Sequence, residues 1–226
     1  MKTWLITGCS SGFGRNLAET LLSEGEQVIV TARKPKTIQH FAKNYPLTAL
    51  CLRLDVTKKD TIDATVNAAI EKFGKIDVLI NNAGYCLRGA VEECTEEEIY
   101  AEFNTNFFGA VRMIQAVLPH MRKAGIGAII NYSSIAALDT SAGSAFYGAA
   151  KCALEGLSCG LRKEVEPLGI KVMVVEPGPF KTDFFDRSID INPNRIAAYD
   201  DTANKRKVKI SDLSKVDIKW CDMGRA

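Results

Sequence analysis

The chain has 226 residues, 46% hydrophobic and 25% charged, with a formal net charge of +2. These proportions describe an ordinary globular protein, most simply one domain with a sizeable core. The near-neutral balance gives no electrostatic case for nucleic acid or an anionic membrane as partner, and no apolar run approaches the ~20 residues of a membrane-spanning helix.

The first predicted element is a strand over "TWLIT" (3–7), which runs into "TGCSSGFG" (7–14) and then a helix. Gly8, Gly12 and Gly14 permit positive φ and a close backbone approach to a ligand, and the helix behind them aims its N–H groups and positive dipole end at a phosphate. The same glycines also suit a plain tight turn, and the spacing G-x-x-x-G-x-G is not the commoner G-x-G-x-x-G fingerprint. The second strand, "QVIVTA" (27–32), ends in Ala32, Arg33 and Lys34, where an NAD-binding fold carries a carboxylate for the ribose 2′-hydroxyl. A guanidinium there can grip a 2′-phosphate, so Arg33 predicts NADP(H) over NAD(H). The third strand, "TALCLRLD" (48–55), ends at Asp55, which suits an adenine amino group and equally the N-cap of the next helix, as does Thr57. Ile62, Val66, Ile70 and Phe73 then form one helical stripe.

"IDVLIN" (76–81) is a fourth strand leading into "NNAG" (81–84). Asn81 and Asn82 can tie the strand end to its neighbours, while Ala83 and Gly84 leave room for a flat ring or a sugar, or simply pack tightly. Asn106, in "NTNFFG", is an amide in a helix among apolar neighbours and needs partners. The fifth strand, "AIINYS" (128–133), leads to Ser133 and Ser134. Tyr147 comes thirteen residues after Ser134, near the start of a helix whose apolar stripe is Leu154, Leu157, Leu161 and Val165, and Lys151 lies one turn further on. The sixth strand, "KVMVVE" (171–176), runs into "PGPFKT" with Pro177, Gly178 and Thr182. Seven scattered cysteines without a C-x-x-C pair, and only His40 and His120, argue against a zinc site, and the odd cysteine count points to a reducing, cytoplasmic setting.

Near-continuous apolar strands alternating with amphipathic helices predict an α/β protein with a doubly wound (Rossmann) parallel sheet. Taken together, "TGCSSGFG", "NNAG", Asn106 of "NFFG", Ser134, "YGAAK" and "PGPFKT" resemble the short-chain dehydrogenase/reductase family of the shorter type, in order and spacing, over residues 1 to about 185. The resemblance implies strand order 3-2-1-4-5-6 and a dinucleotide-binding domain over 1–185 that includes the catalytic residues, with 186–226 as its substrate loop and tail. It gives Tyr147 the role of acid/base, Lys151 that of lowering the tyrosine pKa and bonding the nicotinamide ribose, Ser134 that of holding the substrate oxygen, and Asn106 that of positioning a relay water. The implied NADP contacts are Gly8, Ser10, Ser11, Gly12, Phe13 and Gly14 at the first loop, with Arg33, Asp55 and Val56 at the adenosine end. Asn82, Ala83, Gly84, Tyr147, Lys151, Pro177, Gly178 and Thr182 serve the nicotinamide end. An isolated tyrosine titrates near ~10, and a neighbouring ammonium and a cationic nicotinamide both favour phenolate.

The region beyond 185 departs from the family. Residues 200–226 are short and charged where members continue through a helix to a seventh strand, and "KVDIKW" (215–220) alternates enough only for a short half-buried one. A naturally short, truncated or frame-altered chain would each fit, and loss of that strand would open a sheet edge and part of the pocket. Phe180, Phe184, Phe185, Tyr85 and Leu87 suit an apolar pocket or core, and "KRKVK" (205–209) reads as a solvated loop or helix end. Two functions follow. The first is an NADP(H)-dependent carbonyl reductase or alcohol dehydrogenase acting on a small molecule. The second is a protein that binds NADP(H) with weak or no catalysis. Helices near 104–124 and 147–166 could pair across a two-fold axis in the homodimer or homotetramer common in the family.

Overall fold

The computed structural model describes residues 1–180 and 188–206. Its elements, in chain order, are β1 (Thr3–Ile6), α1 (Gly12–Ser23), β2 (Gln27–Ala32), α2 (Gln39–Asn44), β3 (Ala49–Arg53), α3 (Lys59–Phe73) and β4 (Val78–Asn81). They continue with β5 (Cys86–Arg88), α4 (Glu96–Asn106), α5 (Phe108–Ala124), β6 (Gly127–Tyr132), α6 (Ala145–Val165), β7 (Ile170–Val175) and β8 (Ile189–Ile191). The main sheet is parallel throughout, in the order β3-β2-β1-β4-β6-β7. These are the six strands read from the sequence, and their spatial order is the expected one. The proposed seventh strand at 215–220 lies outside the described residues.

Strand alternation explains why the runs are apolar at nearly every position. Leu5, Ile29, Leu79 and Ile129 point to one face, where they meet Ile62 and Val66 of α3, Met113 and Val117 of α5, and Leu161 and Val165 of α6. Ile6, Val28, Val30, Val78 and Ile80 point to the other, against Ala18, Leu21 and Leu22 of α1 and Phe41 of α2. Helices on both faces leave no solvated side, so both parities of each strand are hydrophobic. The α3 and α6 stripes predicted from spacing are the faces that pack here.

Two features differ from the sequence reading. The long helix expected near 104–124 is two helices, broken at Phe107, where φ is −111° and ψ −65°. A second, two-stranded parallel sheet pairs β5 with β8, with Cys86 opposite Ile189 and Arg88 opposite Ile191. Such strands are too short for any periodic signal. The Glu93 carboxylate accepts from the Ala90 and Ile196 N–H groups, both at 2.8 Å, and the Asn194 side chain donates to the Glu93 carbonyl at 3.0 Å. The segment after residue 188 is thereby clamped to the chain a hundred residues earlier.

A polar thread crosses the apolar interior. Asn81 Nδ2 of β4 donates to Asn131 Oδ1 of β6 at 2.9 Å, Asn131 Nδ2 donates to Ser158 Oγ of α6 at 2.8 Å, and Ser158 Oγ donates to the Leu154 carbonyl at 2.7 Å. Among the described residues, no helix is long and apolar enough to cross a membrane. Asn131→Ala strands the Asn81 amide and removes an acceptor-donor pair from a buried site. Unfolding in urea should show it less stable by about 1–3 kcal/mol, as a lower midpoint with an unchanged slope.

Candidate active site

The ends of β1 and β4 leave the sheet side by side and are joined by side chains. Thr7 Oγ1 accepts the N–H groups of Asn82 and Ala83, each at 2.9 Å, and Asn82 Nδ2 donates to the Thr7 and Gly8 carbonyls at 2.9 and 3.1 Å. Two glycines make this approach possible. Gly8 has φ of +75°, and a Cβ there would lie 3.0 Å from Ala83 Cα; at Gly14 a Cβ would lie 2.5 Å from Asn82 Nδ2 and 2.6 Å from the Gly8 oxygen. Ser11, at the N-cap of α1, is extended and makes no side-chain bond to the first helical turn, whose N–H groups thus open onto the loop.

A cavity of about 720 Å³ lies above these strand ends. Gly8, Ser10, Ser11, Gly12 and Phe13 form one wall, and Asn82, Ala83 and Gly84 continue it. Arg33, Asp55 and Val56 line the end beyond β2 and β3; Ser134, Tyr147, Lys151, Pro177 and Gly178 line the other end. Gly14 lies one layer beneath the wall, and Asn106, 2% exposed, sits behind it. Thr182, Phe184 and Phe185 lie outside the described residues. Phe180 and Tyr85 line the cavity, whereas Leu87 is core, 2% exposed. Asp55 does not cap α3, whose N-cap is Lys58; its Oδ1 accepts the Thr57 N–H at 3.0 Å and hydroxyl at 2.7 Å. Burial opposes ionisation of Asp55, but those two bonds and the nearby Arg33 and Lys58 charges together hold its carboxyl below the usual range. Among the described residues, no cluster of three or more His, Cys, Asp or Glu is placed to hold a metal.

The chemistry at the far end centres on a buried ammonium. Lys151, 5% exposed, donates from Nζ to the Tyr132 carbonyl at 2.7 Å, and its Nζ lies 5.5 Å from the centre of the Tyr147 ring. Burial lowers its pKa to about 8, against the opposing pull of Glu102, Cys86 and Glu155. Ser134 hydrogen-bonds the Tyr147 phenol and accepts the Ala136 N–H at 3.1 Å. Ser133 also touches the cavity, but its hydroxyl is buried without a hydrogen-bond partner among the described residues, so Ser134 is the serine that meets the tyrosine. Burial pushes the Tyr147 phenol above its ordinary value; the Ser134 bond and the Arg88 charge only partly offset it.

Asn106 holds the floor of this end. Its Oδ1 accepts the Tyr85 N–H at 3.0 Å, and its Nδ2 donates to the Tyr85 carbonyl at 2.7 Å and to Glu102 Oε1 at 3.2 Å. Glu102, fully buried, was not singled out in the sequence. Its Oε1 also accepts the Leu87 N–H at 3.2 Å, and burial raises its pKa to about 8 despite that bond and the Lys151 charge. The available signal was spacing: Glu102 stands four residues before Asn106 and so shares its inward helix face. Thr7 and Arg88 were missed too, the first inside a glycine motif and the second in a strand of three residues.

A family model described as short chain dehydrogenase matches residues 2–191. The chain belongs to the short chain dehydrogenase family. It is 47% identical over 182 residues to a 3-ketodihydrosphingosine reductase of Bacteroides thetaiotaomicron, a match covering 80% of this chain and 65% of that one. The chain thus spans just under two thirds of that relative. A short-chain dehydrogenase structure from Streptomyces avermitilis superposes with a TM-score of 0.86 at 41% identity, covering 91% of this chain and 77% of that one. ElxO, solved with NADP bound, superposes at 0.76 with 35% identity, covering 80% and 75%. Solved structural neighbours of the chain include both NADP- and NAD-bound proteins.

Glu102 gives the fold a pH signature. The native state keeps its proton up to about pH 8, whereas the ordinary value is 4.5. Its contribution to stability is therefore complete below about pH 4.5 and is lost as the pH rises through 8. Glu102→Gln should escape that loss. Its unfolding free energy relative to the native sequence should rise steadily from pH 5 to 8 in urea titrations, and a flat difference would contradict the assignment.

Proposed function

We propose that the protein is an NADP(H)-dependent oxidoreductase acting between a carbonyl compound and its alcohol. The observation that carries this reading is the Ser134–Tyr147 hydroxyl pair beside buried Lys151, in a cavity whose opposite end is the glycine loop and Arg33. The cradle fits a dinucleotide. Side chains at Gly8 and Gly14 would collide with the β4 end, and Ser11 leaves the first-turn N–H groups of α1 to an anion. The loop and α1 would hold the pyrophosphate, Asp55 and Val56 the adenine side, and Asn82 to Gly84, Lys151, Pro177 and Gly178 the nicotinamide side. Arg33, exposed at the cavity edge without a carboxylate at position 32 or 34, favours a 2′-phosphate. Bound NADPH supplies the hydride.

The chain's own groups handle the proton and the oxygen. A phenol held above its ordinary pKa is protonated at neutral pH, which suits Tyr147 to donate from Oη to a carbonyl oxygen that is becoming an alkoxide. Ser134 Oγ would hold the same oxygen. Lys151, fixed on the Tyr132 carbonyl, would stabilise the phenolate left behind and bond the ribose. The rival reading, binding without turnover, leaned on the chain after 185. Ser188 and Ile189 line the cavity and β8 is clamped to β5, which favours the catalytic reading.

Purified protein should oxidise NADPH in the presence of a panel of neutral ketones, aldehydes and oxo acids; 3-ketodihydrosphingosine, the compound in the Bacteroides relative's name, is an amino ketone and supplies the cationic member of the panel. Tyr147→Phe should lower kcat by about 10²–10⁴ while NADPH binding, read by fluorescence, stays nearly unchanged. Arg33→Ala should weaken NADPH binding by about tenfold and leave NADH binding alone. Tighter NADH than NADPH binding by the native sequence would refute the cofactor reading.

A further inference from the structure

Arg88 has no role in the chemistry described above, yet it stands at the reacting end of the cavity. Strand alternation explains how it gets there. On β5, Cys86 and Arg88 share one parity and both line the cavity, together with Ile189 of β8. Leu87 and its partner Asp190 share the other parity. Asp190 is therefore turned away from the guanidinium. Among the described residues, no carboxylate makes an ion pair with Arg88, and its Nε is buried without a hydrogen-bond acceptor. The Cys86 thiol hydrogen-bonds the side chain, and the charge is close enough to act on the Tyr147 phenol.

A half-buried guanidinium with an unsatisfied Nε is costly unless something completes it. The edge of the group that carries Nε is one of the two that can take a carboxylate or phosphate with paired bonds. We propose that Arg88 is the substrate anchor, and that the substrate is a carbonyl compound carrying an anionic group, carboxylate or phosphate, within a few atoms of the carbonyl held by Ser134 and Tyr147. This rests on the oxidoreductase reading of the same cavity. It also assigns the β5–β8 sheet a purpose: the sheet fixes the backbone of the residue that selects the substrate. An amine in the same position would meet a like charge and be rejected.

The test uses oxo acids from pyruvate to 6-oxoheptanoate, their neutral methyl esters, amino ketones of matching length and acetonyl phosphate, with the full chain and NADPH. At one length the acid or the phosphate should exceed its ester in kcat/KM by about tenfold or more, chiefly through KM, and the amino ketone should be poorest. The acid and phosphate arms separate the two anions. Arg88→Met should erase the acid-over-ester preference, and Arg88→Lys should keep part of it. Equal treatment of acid and ester by the native sequence, a preference for the amino ketone, or an unchanged ratio in Arg88→Met would overturn the proposal. Calorimetric titration of the same compounds into NADPH-loaded Tyr147→Phe reads binding without turnover. If nothing is reduced but the acid still binds through Arg88, the oxidoreductase reading fails and the anion site stands; if neither acid nor phosphate binds better than the ester, the anion site fails.

Discussion

The join between β1 and β4 is the constraint on which the site depends. Thr7 accepts two backbone N–H groups from the far strand, and Asn82 returns two bonds to the near loop. Four bonds at 2.9 to 3.1 Å hold the two strand ends at the place where the sheet order turns back, with β2 and β3 on one side of β1 and β4, β6 and β7 on the other. A crevice opens at such a switch point in a doubly wound sheet. Gly8 and Gly14 serve that closeness first, since any side chain there would push the strands apart. The open loop above α1 is the same closeness seen from the cavity side.

Burial sets the electrostatics at the other end. It moves Lys151 down, Glu102 up and Tyr147 up, and in each case it is the largest cause. Burial thus works against charge on both Lys151 and Glu102, while each charge favours the other. Asn106 joins the pair mechanically. It fastens Glu102 to the Tyr85 peptide, and a Cβ at Gly84, next to that peptide, would lie 2.8 Å from Asn106 Oδ1 and 3.7 Å from Lys151 Nζ.

Much of this was legible in the sequence because strand ends carry the site. Six apolar runs announced the sheet, and the polar residues at their carboxyl ends, Arg33, Asp55, Asn82 and Ser134, line one cavity. Glu102 was hidden by its neighbours: it sits in a stretch rich in glutamates, and charge in an amphipathic helix ordinarily means a solvated face. The break at Phe107 falls among Asn104, Thr105, Asn106 and Gly109, which are poor helix formers, but no proline or capping residue marks where it comes. β5 and β8 have three residues each, too few to show alternation, so neither the second sheet nor the inward aim of Arg88 could be read. The direction of the Tyr147 shift was unreadable for a different reason. Spacing reveals a neighbouring lysine, but desolvation depends on everything packed around the phenol.

The β5–β8 pair also bears on how the molecule assembles. The main sheet grows through βαβ units, whereas β5 must find a partner about a hundred residues further along the chain. Contacts of that separation cost more closure entropy than the pairings within a βαβ unit, so they are expected to follow the framework that positions β5. The unit that closes last is also a small one, the kind that opens locally while a main core stays folded. A substitution in this small unit is therefore expected to loosen one wall of the cavity before it reaches the main sheet.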